Sequence, residues 1–227
     1  MRDMRRWSAK RGVLLGVAVV AMTWVVAGGL SNPENATIPA VEVTEYEGTR
    51  LGSVEDFREN SIRGVQTVDP ATYTLAMDGL VTQSQSWTYG ELLEMEHKQR
   101  LVTIHCVEGW SVTALWDGIP LARLLDLAEP TVGANTVIFH AVDGYTTSLP
   151  LDLILERDLL IADKINGITL PAANGFPYQL VAESKWGYKW IRWLERIELS
   201  NDADYRGFWE SFGYSNDGDA EGPKFDY

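Results

Sequence analysis

One cysteine, Cys106, and three histidines leave this 227-residue chain short of the side chains from which most metal and covalent sites are built. A lone thiol cannot close an internal disulfide, so outside the cytoplasm the chain must hold itself together by packing alone. Paired-cysteine zinc spacing, a glycine-rich phosphate loop, a His-Glu-x-x-His helix and a serine nucleophile elbow are all missing. Positive charge is scarce as well: 19 Lys and Arg stand against 32 Asp and Glu, a formal charge of −13. Residues 1–11 hold a local excess of four positive charges, so the rest of the chain carries −17. Such a surface repels phosphate backbones, and no basic patch interleaved with aromatics is present, so nucleic acid is not an expected partner.

What is present begins with residues 12–30, a run of 19 residues without a charge. That is close to the roughly 20 residues a helix needs to cross a bilayer. The basic cluster precedes the run, which keeps the N-terminus cytoplasmic and places everything after Leu30 outside. A cleaved signal peptide competes with this reading, but the run is long for that class, and residues 1–30 are taken as an uncleaved membrane anchor. Residues 31–55 are polar, with Pro33 and Pro39, and read as a spacer. Residues 56–200 form the expected globular domain. Residues 201–227 are acidic but carry Phe208, Trp209, Phe212 and Tyr214, which are expected to pack the segment onto the domain.

Strands outnumber helices, so the predicted class is α+β, a strand-rich mixed domain. Tyr73, Leu75 and Met77 alternate with polar neighbours, as on a half-buried strand. Thr88 and Glu91 have capping-box spacing ahead of Leu92, Leu93 and Met95, and Pro120 followed by Leu121, Leu124, Leu125 and Ala128 gives a second helix with an apolar face. Further strands are predicted at 101–104, 136–139, 159–162, 168–170 after the Asn166-Gly167 turn, 178–182 and 190–199. Cys106 then sits just past the end of a strand, where site residues concentrate.

A single thiol is inert and buried, bound to a metal, or reactive. A Cys/His hydrolase needs a base for the thiol. His105 is adjacent, and adjacent residues in extended chain point to opposite faces, so His97 or His140 would have to serve.

Residues 105–130, HCVEGWSVTALWDGIPLARLLDLAEP, and residues 170–199, LPAANGFPYQLVAESKWGYKWIRWLERIEL, carry a more specific signal, as do residues 57–81 upstream. These blocks resemble the molybdopterin-binding domain of the sulfite oxidase family, and above all the branch that contains the molybdenum subunit of periplasmic methionine-sulfoxide reductases. The resemblance covers about 57–199 and implies a molybdenum–molybdopterin cofactor with Cys106 as the one protein ligand to the metal, the pterin dithiolene supplying two further sulfurs. A soft metal suits a thiolate and removes the need for a base to deprotonate it. By position, Asn174 and Gln179 would contact the pterin. Lys189, Trp190, Ile191 and Arg192 would approach its phosphate, and Arg58, Glu59 and Asn60 would reach it from an N-terminal loop. Gln179 departs from the family, which usually has arginine there, a lost charge-assisted bond that Lys185 or Lys189 would have to replace.

The same resemblance places Glu108 near the metal, where a carboxylate can manage protons, so Cys106 and Glu108 are the catalytic candidates. Trp110 and Trp116 are core or funnel residues, Gly187 permits close backbone approach, and Asp143, Gly144 and Tyr145 border the site. The implied reaction is two-electron oxygen-atom transfer on a small-molecule substrate, a sulfoxide or N-oxide. The alternatives are sulfite-oxidase-like oxidation of an oxyanion and a non-catalytic cofactor-binding or interaction module. Sulfite oxidases continue the ligand motif with Gly-Asn-Arg-Arg, and Val107-Glu108-Gly109-Trp110 stands here instead. The chain reads as ending about where the domain does, so neither a haem domain before it nor the family's dimerisation domain after it is expected. Electrons are therefore expected from a separate partner, a membrane haem protein or a quinone-linked carrier.

Overall fold

A computed structural model describes residues 41–226. The expected anchor, 1–30, and the first part of the spacer lie outside the described residues. Among the described residues no helix is long and apolar enough to cross a membrane.

In chain order the elements are a hairpin of β1 (Glu45–Tyr46) and β2 (Thr49–Arg50), then β3 (Thr74–Gly79), β4 (Gln85–Thr88), α1 (Tyr89–Leu93), β5 (Lys98–His105), β6 (Ser111–Pro120) and α2 (Leu121–Ala128). They continue with β7 (Thr136–Ala141), β8 (Thr146–Pro150), α3 (Leu151–Arg157), β9 (Leu160–Ile165), β10 (Ile168–Thr169), β11 (Gln179–Val181) and β12 (Leu194–Ser200). One sheet has the order β4-β3-β12-β7-β8, in which only β12 and β3 run parallel. The other runs β10-β9-β6-β5, antiparallel throughout, with β11 also pairing β9. The strand-rich α+β expectation is met.

Local chemistry accounts for the elements. Thr88 and Glu91 form the predicted reciprocal capping box, but α1 stops at Leu93, leaving Met95 beyond it. Leu121, Leu124, Leu125 and Ala128 are the buried face of α2, spaced i, i+3, i+4, i+7, and Glu129 ends the helix in the left-handed region. Asn166 and Gly167 both adopt positive φ, so β9 turns tightly into β10 with Ile165 opposite Ile168.

The strand expected over 190–199 begins only at Leu194. Gly187–Lys189 forms a 3-10 turn, and Trp190, Ile191 and Trp193 are buried around the site instead of continuing the ladder. From residue 41, the stretch read as a spacer is bound to the domain. Val43 N–H donates to the Asn166 carbonyl at 2.8 Å, Gly52 N–H to the Thr113 carbonyl at 2.8 Å, and the Asn166 amide to Glu42 at 3.0 Å. Among the C-terminal aromatics, Phe208 lies against Tyr145 at 5.9 Å and Tyr214 against Tyr188 at 5.3 Å between ring centres.

Candidate active site

Cys106 is the residue immediately after β5. Its N–H donates to the Trp110 carbonyl at 2.9 Å, and its carbonyl accepts from Gly109 N–H at 3.0 Å, so the chain reverses at once into β6. Gly109 has φ +93°, a conformation that glycine adopts without strain, and this lets the loop close so tightly. The thiol, on a residue only 5% exposed, lines the floor of a cavity of about 1020 Å³, open solvent at its mouth included.

The cavity gathers chain segments far apart in sequence. Arg58 and Asn60 come from the loop before β3, Cys106, Glu108 and Trp110 from the β5–β6 loop, and Asn174 and Gln179 from the turn into β11. Trp190, Ile191 and Arg192 follow the 3-10 turn. The Asn60 amide stands 4.0 Å from Cys106 Sγ. Arg192 donates to the Ala173 carbonyl at 2.9 Å and to Asn60 Oδ1 at 3.2 Å, and its guanidinium lies 4.7 Å from the centre of the Trp193 ring. Burial lowers the Arg192 pKa while Glu59, 3.5 Å away, works against that; an arginine remains a cation either way.

Burial pushes the Cys106 thiol above its usual range. The hydrogen bond from the Glu108 backbone opposes this, the Glu108 carboxylate adds to it, and Lys224 and Arg58 oppose it again. The net bias is toward the protonated thiol, and a soft cation bound to sulfur would displace that proton. Glu108 is exposed at the rim and accepts from Trp110 Nε1 at 3.1 Å.

Two predicted contacts are placed elsewhere. Glu59 does not line the cavity and reaches it through Arg192, 3.5 Å away, and through Ser61, whose N–H donates to its carboxylate at 2.8 Å. The Lys189 ammonium points away, 2.6 Å from Glu210 and 3.1 Å from the Ser148 carbonyl, in a fully buried pair. Lys185 likewise pairs with Asp217 at 3.0 Å. Neither lysine therefore compensates for Gln179, and Arg58 and Arg192 are the cations among the described lining residues. Trp110 lines the cavity, whereas Trp116 is a core residue beneath it, 5.9 Å from Phe57 and 5.5 Å from Trp190 between ring centres. Asp143, Tyr145 and Gly187 line the cavity and Gly144 does not; a Cβ on Gly187 would rest 3.6 Å from Cys106 Cα.

Sequence reasoning missed Ser61, Tyr188, Trp209 and Tyr214, which also line it, and Lys224, which donates to the Val107 carbonyl at 2.8 Å beside the cysteine loop. The only sequence signal for the last three was the set of aromatics in an acidic tail.

These residues fit a large anionic cofactor with a soft metal. The cavity has a thiol among its lining residues, two guanidinium residues and amides in its walls, and a buried Ser61 Oγ that has no hydrogen-bond partner among the described residues.

Comparison with known proteins agrees. Residues 62–209 match the oxidoreductase molybdopterin binding domain, and the chain belongs to that family, whose cofactor is molybdopterin. A subunit of Azospira oryzae provisionally named as part of a protein-methionine-sulfoxide reductase is 33% identical over 151 residues, 66% of this chain and 57% of that one. The protein-methionine-sulfoxide reductase catalytic subunit of Gluconobacter oxydans is 36% identical over 152 residues, 59% of this chain and 49% of that one. The chain thus spans about half the length of these curated relatives. The crystal structure of the sulfane dehydrogenase SoxCD from Paracoccus pantotrophus shares the fold, with a TM-score of 0.59 at 20% identity over 62% of this chain and 41% of that one.

Proposed function

We propose that this chain is the molybdenum-bearing part of a reductase that removes oxygen from small sulfoxides or N-oxides. The observation that carries the reading is the buried Cys106 thiol at the floor of a cavity walled by Asn60, Arg58 and Arg192 in a domain of the molybdopterin-binding family. The catalytic-subunit relatives named for protein-methionine-sulfoxide reduction support the substrate class.

The bound cofactor supplies two-electron redox chemistry at the metal. Cys106 anchors it through Sγ. Asn174 and Gln179 would contact the pterin, Trp190, Ile191 and Arg192 would approach its phosphate, and Arg58 and Asn60 would reach it from the loop before β3. Glu59 and Lys189 act behind them, Glu59 by orienting Arg192 and Lys189 by fixing the turn before Trp190 onto Glu210. Glu108, exposed at the rim and accepting from Trp110 Nε1, would be the carboxylate that supplies protons to the substrate oxygen. The reaction balances as sulfoxide plus two electrons and two protons giving sulfide and water. The electrons come from a separate carrier, a membrane haem protein or a quinone-linked one. Residues 12–30 tether the domain to the outer face of the membrane, a reading that rests on their lack of charge and on the basic cluster before them.

The test is elemental analysis and pterin fluorescence of wild type and Cys106→Ala from a molybdopterin-competent host, with dye-linked reduction of a panel of sulfoxides and N-oxides. Molybdenum near stoichiometric, with turnover lost in the variant, is expected. Folded wild type without metal or pterin overturns the cofactor assignment, and loaded protein without turnover overturns the reductase.

A further inference from the structure

Three ligand-type side chains converge at the end of β5 remote from Cys106. His97 immediately precedes β5, Asp117 lies on β6 and Asp163 on β9, and their ligand atoms all lie within 4.8 Å of one another. At about 3.3 Å per residue, the length of β5 separates them from the cysteine by roughly 25 Å along the strand. Strand register creates the convergence. Asp117 is opposite Lys164 and Gly118 opposite Ala162, so Asp163 is the extra residue of a bulge and is buried beside Asp117.

Two observations point to a cation. Asp163 is 0% exposed; its Oδ1 faces His97 Nε2 at 3.1 Å, and its Oδ2 has no hydrogen-bond partner among the described residues. Asp117 repeats the pattern, with Oδ2 accepting from Gln99 at 2.9 Å and Oδ1 buried without a partner among the described residues. Independently, His97 Nδ1 lies 2.8 Å from the Met95 carbonyl, a contact that only an N–H can make. The hydrogen is therefore on Nδ1, which leaves Nε2 as the ligand-type atom that faces the carboxylates. A backbone carbonyl fixing one nitrogen so that the other is free is how ligating histidines are oriented. A protonated His97 would satisfy Asp163 Oδ1 alone and leave two buried carboxylate oxygens bare, an arrangement that burial penalises. A divalent ion would serve all three side chains.

We propose that His97 Nε2, Asp117 and Asp163 bind a divalent transition-metal ion of zinc type, a structural site that clamps β5, β6 and β9 together. One imidazole nitrogen and two carboxylates suit zinc, with water completing the coordination. At metal–ligand distances of about 2.0–2.2 Å a tetrahedral site separates its ligand atoms by roughly 3.4 Å, so small side-chain movements close the group around the ion. His97, with 17% of its side chain exposed, leaves an entry path.

The test is calorimetric titration of zinc into chelator-stripped, cofactor-loaded full-length protein, so that the cavity thiol is already engaged. Binding with a stoichiometry near one is expected, weakened about tenfold or more in His97→Gln and in Asp163→Asn. His140→Gln, which alters the other histidine–carboxylate contact, with Glu198 at 2.9 Å, leaves the affinity unchanged. Chelator lowers the Tm of wild type but not of His97→Gln, which keeps the test decisive if Asp163→Asn fails to fold. Absence of zinc binding by stripped wild type, or unchanged affinity in His97→Gln, overturns the proposal.

Discussion

Lys189 Nζ lies 2.6 Å from Glu210 Oε1 with both side chains fully buried, and this contact joins the turn that leads into Trp190, Ile191 and Arg192 to the C-terminal segment. Burial lowers the lysine pKa and Glu210 opposes the shift most, so the cation is held at a desolvation cost that its partner chiefly offsets. Glu210 Oε1 also accepts from Thr147 at 2.6 Å, which ties β8 to the same point. Trp209 and Tyr214, on either side of Glu210 in sequence, line the cavity, so the pair fixes part of its wall.

Lys189→Met should therefore cost about 3–5 kcal/mol, because it strands a buried carboxylate. Lys189→Met/Glu210→Gln should recover much of that loss, since an amide keeps an acceptor for Thr147 without the charge. Urea unfolding of the single and double variants checks this. A single variant as stable as wild type would mean the pair is not buried as described.

Cys106→Ser should leave the fold intact while abolishing turnover. The side chain is small and its loop is held by backbone hydrogen bonds, so stability should change by about 1 kcal/mol or less. Circular dichroism and unfolding follow the fold, and dye-linked assays the activity. Full activity in the serine variant would remove the thiol from the proposed chemistry.

Periodicity and capping made most of the framework legible. The Asn166-Gly167 hairpin, the α2 face and the Thr88–Glu91 box are each written within a few residues. The position of Cys106 past a strand was legible for the same reason. Elements with less local signal escaped. The ten-residue β6 is almost continuously buried and shows no alternation, and Trp190–Trp193 look like strand because buried apolar runs do not declare their geometry. The destination of a long side chain is also not local. Lys189 lies next to cavity residues in sequence, yet Glu210, 21 positions on, draws its ammonium the other way. Lys224 reaches the cysteine loop from 117 residues beyond Val107, a contact that no spacing argument could supply.

Arg192→Gln should lower molybdenum and pterin occupancy. The guanidinium is pre-positioned by the Ala173 carbonyl, Asn60 and Trp193, and a charge-assisted hydrogen bond to a cofactor phosphate is worth about 1.5–3 kcal/mol. Occupancy measured by elemental analysis after dilution should fall accordingly. Arg192→Lys should recover it only in part, since an ammonium cannot reproduce the planar contacts. Unchanged occupancy in Arg192→Gln would take this residue out of the cofactor cradle.

Gly118→Ala should be among the most damaging single-methyl changes in the chain. Gly118 follows the β6–β9 register shift, and a Cβ there would fall 2.1 Å from the Ile161 carbonyl oxygen and 2.5 Å from Ala162 Cα. Backbone atoms in the middle of a sheet have nowhere to retreat, so the strands must separate or the bulge must move, at a cost of about 4 kcal/mol or more. Gly90→Ala is the matched control. That glycine lies in α1 with nothing within 4 Å of its would-be Cβ, and alanine should stabilise the helix by about 0.5–1 kcal/mol. Parallel urea titrations of the two variants separate a backbone clash from a general intolerance of alanine. Equal stability of Gly118→Ala and wild type would show that β6 and β9 do not approach as closely as the register requires, and with them the placement of Asp163 beside Asp117 would fall.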